Sequence, residues 1–199
     1  MKKEIIHSIL ALGDSYTIGE GVGPQERFPN QFAERLEDNS GQKLKVDIVA
    51  KTGWTTGELI EGVSQAYLQP PYDLVFLLIG VNNQYRRLPL SDYRHEFKEL
   101  LITARDFCSH EKGVWVLSVP DWGETPFGKE SGRADIAEKI DSFNAVNKEE
   151  ATKQGYCYVD ITSITRNISG KPDLLAEDKL HYSGRMYELW AEELVKLVE

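Results

Sequence analysis

The chain has 199 residues and a formal net charge of −9, with Lys and Arg scattered along it rather than clustered. That length fits one domain over residues 1–199, burying roughly 70% of the surface its unfolded form exposes and needing no disulfide or metal to hold together. The acidic balance argues against nucleic acid and anionic membrane surfaces, which select basic patches, and no run approaches the ~20 apolar residues of a membrane span. Cys108 and Cys157 read as small buried apolar groups; without a Cys-x-x-Cys or a clustered His/Cys set, nothing suggests a zinc or redox site. The charged start at Lys2-Lys3 leads into the first strand, which signal-peptide cleavage would remove, so the chain reads as cytoplasmic.

Taken in order, an apolar run from Ile5 to Leu12 reads as a strand buried on both faces, closed by Gly13-Asp14-Ser15 and the loop Gly19 to Pro24. Phe28, Phe32 and Leu36 recur at helical spacing, with a stop near Asn39-Ser40-Gly41. Lys45 to Ala50 is a second strand and Lys51 to Trp54 a loop. Thr55-Thr56-Gly57-Glu58 has the form of a capping box, opening a helix to about Tyr67 that Pro70-Pro71 ends. Leu74 to Ile79 is the strongest strand signal and should be central; Val81 to Arg87 follows as loop. A helix from after Ser91 to Cys108, a strand from Val114 to Val119 and an irregular loop from Pro120 to Gly132 come next. Ile136, Ile140 and Phe143 mark a helix to about Gln154, and Tyr156 to Asp160 a fifth strand. A polar loop from Ile161 to Tyr182 leads to a last helix, Ser183 to Val198.

Strands alternating with helices imply a parallel sheet covered on both faces. Right-handed crossovers make a doubly wound, flavodoxin-like α/β/α sheet of order 2-1-3-4-5 the economical topology. Strands one and three are then neighbours, and ligands belong in the crevice beyond their carboxyl ends. Ser15, Gly53 and Asn82 follow strands one, two and three, and Asp178 and His181 lie on the loop after strand five. Ser15 should therefore stand at this rim with its hydroxyl in solvent. A serine hydroxyl attacks only when a base takes its proton, and imidazole titrates near neutral pH. Asp178, three residues before His181, suits one turn of helix and an orienting hydrogen bond to Nδ1. The N–H groups of Ser15 and Gly53 and the Asn82 amide are candidate oxyanion donors.

Gly13-Asp14-Ser15, Gly53, Gly80-Val81-Asn82-Asn83 and Asp178-Lys179-Leu180-His181 together resemble the four blocks of the SGNH/GDSL hydrolase family, in its order and near its spacing. The resemblance implies a flavodoxin-like fold and metal-free, cofactor-free ester hydrolysis. It assigns Ser15 as nucleophile and oxyanion donor, Gly53 and Asn82 as further donors, His181 as base and Asp178 as its orienter. Tyr182-Ser183 and Ser118-Val119-Pro120-Asp121-Trp122 also look family-like. Tyr16 departs from the leucine of the eponymous motif, a packing change. Asn83 stands where an aspartate often follows, removing a charge and altering loop support or substrate contacts.

The implied activity is a serine esterase or acylhydrolase acting on a small-molecule ester through an acyl-enzyme. With no lipase-type apolar lid, small or polar esters are favoured, among them acetylated sugars; lysophospholipid or thioester cleavage needs the same groups. A flavodoxin-like cofactor binder leaves Asp178 and His181 unexplained, and a carbohydrate-binding module would show no turnover. Glu177 is a less well spaced orienter than Asp178. His7, His95 and His110 read as structural or surface histidines. Trp115 and Trp190 read as core, Trp54 and Trp122 as rim-loop residues that either contact substrate or simply pack the loop. Arg86 and Arg87 read as solvated, with Arg86 a contact for a polar or anionic substrate group.

Overall fold

The structure, a computed structural model, describes residues 6–198. Its strands are β1 (Ser8–Gly13), β2 (Lys45–Ala50), β3 (Leu74–Leu78), β4 (Val114–Leu117) and β5 (Cys157–Val159). All pair in parallel, in the order β2-β1-β3-β4-β5 expected from the crossover rules. The helices are α1 (Ser15–Ile18), α2 (Phe28–Ser40), α3 (Thr56–Gln65), α4 (Val81–Tyr85) and α5 (Leu90–Phe107). They continue as α6 (Pro126–Glu130), α7 (Ile136–Lys153), α8 (Thr162–Thr165) and α9 (Gly184–Val195). Among the described residues no helix is long and apolar enough to cross a membrane.

The continuous apolar runs of β1 and β3 follow from burial on both faces. Alternate residues of β1 enter different cores. Ile9 and Ala11 pack with Phe28 and Phe32 of α2 and Trp190 of α9. Leu10 and Leu12 pack with Leu59 of α3 and Phe97 and Leu101 of α5. Trp190 sits against Tyr16, Phe28, Tyr182 and Tyr187, so the first core extends to the sheet rim. Cys108, at the end of α5, is buried, and Cys157 in β5 is half-buried, matching their reading as packing groups.

Several expected boundaries shift. The described part of the first strand starts at Ser8, where the Asp73 carboxylate accepts the N–H groups of His7 and Ser8; Ile5 lies outside the described residues. Val81 to Arg87 is not all loop, because α4 occupies Val81–Tyr85. The stretch Pro120 to Gly132 is not irregular: it holds a 3-10 turn, Trp122–Glu124, and α6, both capped by side chains. The Thr125 hydroxyl accepts the Gly128 N–H, and the Asp121 carboxylate accepts that of Gly123. The loop from Ile161 to Tyr182 likewise contains α8 and a 3-10 turn at Pro172–Leu174. These elements of three to five residues are too short for a periodic signal.

Candidate active site

Beyond Gly13 the chain turns at once into α1. A side chain at Gly13 would collide with the Leu78 carbonyl of β3 and the Thr17 hydroxyl, so only glycine lets α1 fold back over the strand ends. Asp14 caps α1, its Oδ1 accepting the Tyr16 N–H at 3.1 Å. The other oxygen, Oδ2, is buried without a hydrogen-bond partner. Desolvation pushes the Asp14 carboxyl up to about 7, against the pull of the Tyr16 and its own backbone N–H groups.

Ser15 opens α1 and is 4% exposed rather than standing in solvent. α1 packs down on β1 and β2, and Gly21 approaches Ala176 so closely that a Cβ there would lie 2.8 Å from the alanine methyl. As the first helical residue, Ser15 has an N–H with no intrahelical acceptor. Among the described residues that N–H makes no hydrogen bond to another backbone group.

His181 lies two residues before Ser183, the N-cap of α9. The carboxylate Oδ2 of Asp178 is 2.6 Å from His181 Nδ1, while Oδ1 accepts the N–H groups of Leu180 and His181, both at 2.9 Å. This is an aspartate-closed turn with Lys179 at φ +59°, not the turn of helix expected. Helical geometry would spend the two N–H groups on backbone carbonyls; here they hold the carboxylate. Partial burial works against the charge on Asp178, but the hydrogen bonds from the His181 ring and the two N–H groups outweigh it and hold the carboxyl below its ordinary value. Glu177 takes no part in this pairing.

The His181 ring meets the Tyr16 ring edge-on, centroids 5.7 Å apart, so the imidazole packs against the residue next to Ser15. Tyr16, noted in sequence only as a packing change, is thus a wall of the site, supported by Tyr182 and Trp190. Among the described residues no hydrogen bond joins the Ser15 hydroxyl to the imidazole. Unliganded enzymes often leave such bonds loose.

Gly53 and Asn82 lie close to one another. Gly53 has φ +88°, the left-handed region that glycine enters freely, and its N–H bonds no protein acceptor among the described residues. Asn82, half-buried in α4, donates from Nδ2 to the Trp54 carbonyl at 2.9 Å, next to Gly53. A primary amide carries two protons, so one remains. Asn83 is engaged at both ends of its amide: its Oδ1 accepts the Thr56 N–H at 3.1 Å and its Nδ2 donates to the Thr56 hydroxyl at 2.7 Å. The residue in place of the usual aspartate therefore ties α4 to the start of α3 and is buried.

Trp122 is 1% exposed, which favours loop packing over substrate contact, the two readings its sequence position left open. Its Nε1 donates to Gln84 at 2.8 Å, and Tyr85, Phe127 and the Arg133 guanidinium pack over it. Exposed aromatic surface at this rim belongs instead to Tyr85 and Phe127, 41% and 39% exposed. The Phe127 N–H donates to the Lys179 carbonyl, tying α6 to the His181 turn. A cavity of about 320 Å³ is lined by Gln84, Leu88, Arg133 and Phe143 among others; neither Ser15 nor His181 lines it. Sequence reasoning passed over the buried, unpaired Asp14 Oδ2, although the motif quoted the residue; nothing in the local pattern marks its isolation.

The profile of the GDSL-like lipase/acylhydrolase family matches residues 11–189 of the chain. No curated protein matches it by sequence. Among solved structures, the lipase/acylhydrolase from Enterococcus faecalis superposes with a TM-score of 0.76 at 19% identity, over 97% of this chain and 95% of its own. Axe2, an acetylxylan esterase from Geobacillus stearothermophilus, gives 0.77 at 17% identity, over 100% and 96%. The psychrotrophic esterase EstA from Pseudoalteromonas sp. gives 0.71 at 16% identity, over 96% and 95%. At such identities these likenesses speak to the fold, and the profile match speaks to the family. The chain belongs to the GDSL-like lipase/acylhydrolase family and is an ester hydrolase of that kind.

Proposed function

We propose that the protein is a serine esterase that cleaves small or polar carboxylic esters through an acyl-enzyme. Ser15 is the nucleophile, His181 the general base, and Asp178 the group that holds the base. The observation that carries this reading is the 2.6 Å pairing of Asp178 with His181 Nδ1, on an imidazole packed against Tyr16 beside Ser15.

A carboxylate on Nδ1 leaves Nε2 as the basic nitrogen. Nε2 takes the hydroxyl proton as Ser15 Oγ bonds to the ester carbon, and Asp178 stabilises the resulting imidazolium. The carbonyl oxygen becomes an anion among the Ser15 N–H, the Gly53 N–H and the second proton of the Asn82 amide. These donors are supported as a set because none is spent on the protein. Collapse expels the alcohol with the proton from Nε2, and water repeats the sequence to release the acid.

For substrate, the reading favours short acyl esters of a polar alcohol such as an acetylated sugar. The exposed rings of Tyr85 and Phe127 offer faces on which a sugar ring stacks, and one structural neighbour is an acetylxylan esterase. The test is hydrolysis of p-nitrophenyl acetate, butyrate and a long-chain ester alongside acetylated xylose, by wild type and Ser15→Ala. Ser15→Ala should lower kcat by about 10⁴-fold or more. Equal activity of the two proteins removes the mechanism; preference for the long-chain ester removes the substrate class.

A further inference from the structure

Arg86 closes α4, four residues after Asn82, and its guanidinium reaches back across the rim. Its Nη2 donates to the Gly53 carbonyl at 2.5 Å, and its Nη1 lies 3.3 Å and 3.2 Å from the two Glu58 oxygens. Glu58 is itself fixed, accepting the Thr55 N–H at 2.8 Å in the capping box that starts α3. We propose that Arg86 is a positioning residue for ester hydrolysis, clasping the Gly53 turn to α4 and so setting the Gly53 N–H and the Asn82 amide relative to one another. This rests on the oxyanion-donor reading of those two groups.

The turn needs such a clasp. Gly53 sits at φ +88° between the exposed residues Lys51 and Thr52 and the half-buried Trp54, and a glycine backbone is intrinsically the least stiff. Three contacts besides Arg86 hold it: the Trp54 N–H donates to the Lys51 carbonyl at 3.2 Å, the Asn82 amide donates to the Trp54 carbonyl, and the Thr52 hydroxyl donates to the Glu20 carboxylate, but none of them grips the Gly53 carbonyl. The Gly53 carbonyl and the Trp54 N–H are the two ends of one peptide plane. Arg86 grips one end and Lys51 the other, so losing the guanidinium frees that plane to rock beside the Gly53 N–H.

The geometry also separates Arg86 from its neighbour. Arg86 points its donors at protein acceptors, not outward at substrate. Arg87 makes no side-chain hydrogen bond or ion pair among the described residues and serves as a charge-matched control. A forked guanidinium reaches a carboxylate and a carbonyl together, while an ammonium reaches them less completely. Because exposed ion pairs stabilise proteins weakly, the clasp should show in rate and not in stability.

The test is steady-state kinetics on p-nitrophenyl acetate, with thermal melts, for Arg86→Ala, Arg86→Lys, Arg87→Ala, Asn82→Ala and Arg86→Ala combined with Asn82→Ala. Arg86→Ala should lower kcat about ten- to a hundredfold with KM changed less than about twofold and Tm within about 2 °C. Arg86→Lys should recover part of the loss, Arg87→Ala should match wild type, and the double variant should lose less than the product of the singles. If Asn82→Ala leaves kcat intact, the oxyanion reading itself falls. If Asn82→Ala lowers kcat and Arg86→Ala does not, the clasp alone is overturned. A rise in KM without loss of kcat makes Arg86 a substrate contact, and a large fall in Tm unrescued by lysine makes it merely structural; either result overturns the proposal.

Discussion

Asp178 and His181 are joined through both oxygens of one carboxylate: Oδ2 meets the ring at Nδ1, and Oδ1 accepts the backbone N–H of His181 itself. One residue therefore sets where the histidine backbone lies and where its ring points.

Replacing that carboxylate separates the two duties. Asp178→Asn keeps an oxygen for the Leu180 and His181 N–H groups but presents an amide to the ring, favouring the wrong tautomer. It should lower kcat about 10³–10⁴-fold with little change in Tm. Asp178→Ala should lose both kcat and Tm. Melts and p-nitrophenyl acetate kinetics on the two variants check this, and equal Tm losses would dissolve the distinction.

Asn82 and Asn83 are adjacent but do different work. Asn82→Ala should lower kcat about 10²–10³-fold and leave the fold intact. Asn83→Ala leaves the buried Thr56 N–H without its acceptor, while the Thr56 hydroxyl keeps Glu96, and should cost about 1–3 kcal/mol of stability. Chemical denaturation measures the second effect and kinetics the first. A pattern reversed between the two residues would mean that their roles have been exchanged.

Asp14 makes stability depend on pH with a defined sign. Its folded carboxyl titrates near 7 and its unfolded one near 3.8, so between these values the folded state binds more protons than the unfolded. The contribution of Asp14 to stability therefore falls as pH rises from about 4 to about 7, by roughly 4 kcal/mol in all, and is flat above. Asp14→Asn keeps the cap on Tyr16 and cannot ionise. Its Tm should exceed that of wild type at pH 8 and approach it near pH 5. A constant difference between the two proteins across that range would sink the assignment.

Trp122 and Phe127 touch but should answer mutation differently. Trp122→Ala removes a buried ring and should cost about 3–5 kcal/mol. Phe127→Ala trims an exposed ring and should leave Tm nearly unchanged while raising KM for an acetylated sugar more than for p-nitrophenyl acetate. Equal KM shifts on both substrates would remove Phe127 from sugar recognition.

Sequence by itself determined the alternation of strands and helices, and hence the parallel sheet of order 2-1-3-4-5, with Ser15, Gly53, Asn82, Asp178 and His181 on the segments that follow its strands. It could do so because burial on both faces writes unbroken apolar runs into β1 and β3, and crossover handedness leaves few ways to connect them. Tertiary structure alone decided how those loops close. The turn at Asp178, the helix α4, the burial of Ser15 and Trp122, and the reach of Arg86 to Gly53 and Glu58 depend on hydrogen bonds and ring contacts within short segments or between distant ones. Such contacts leave no period in the sequence, because each is set by one capped turn or one side chain crossing between loops.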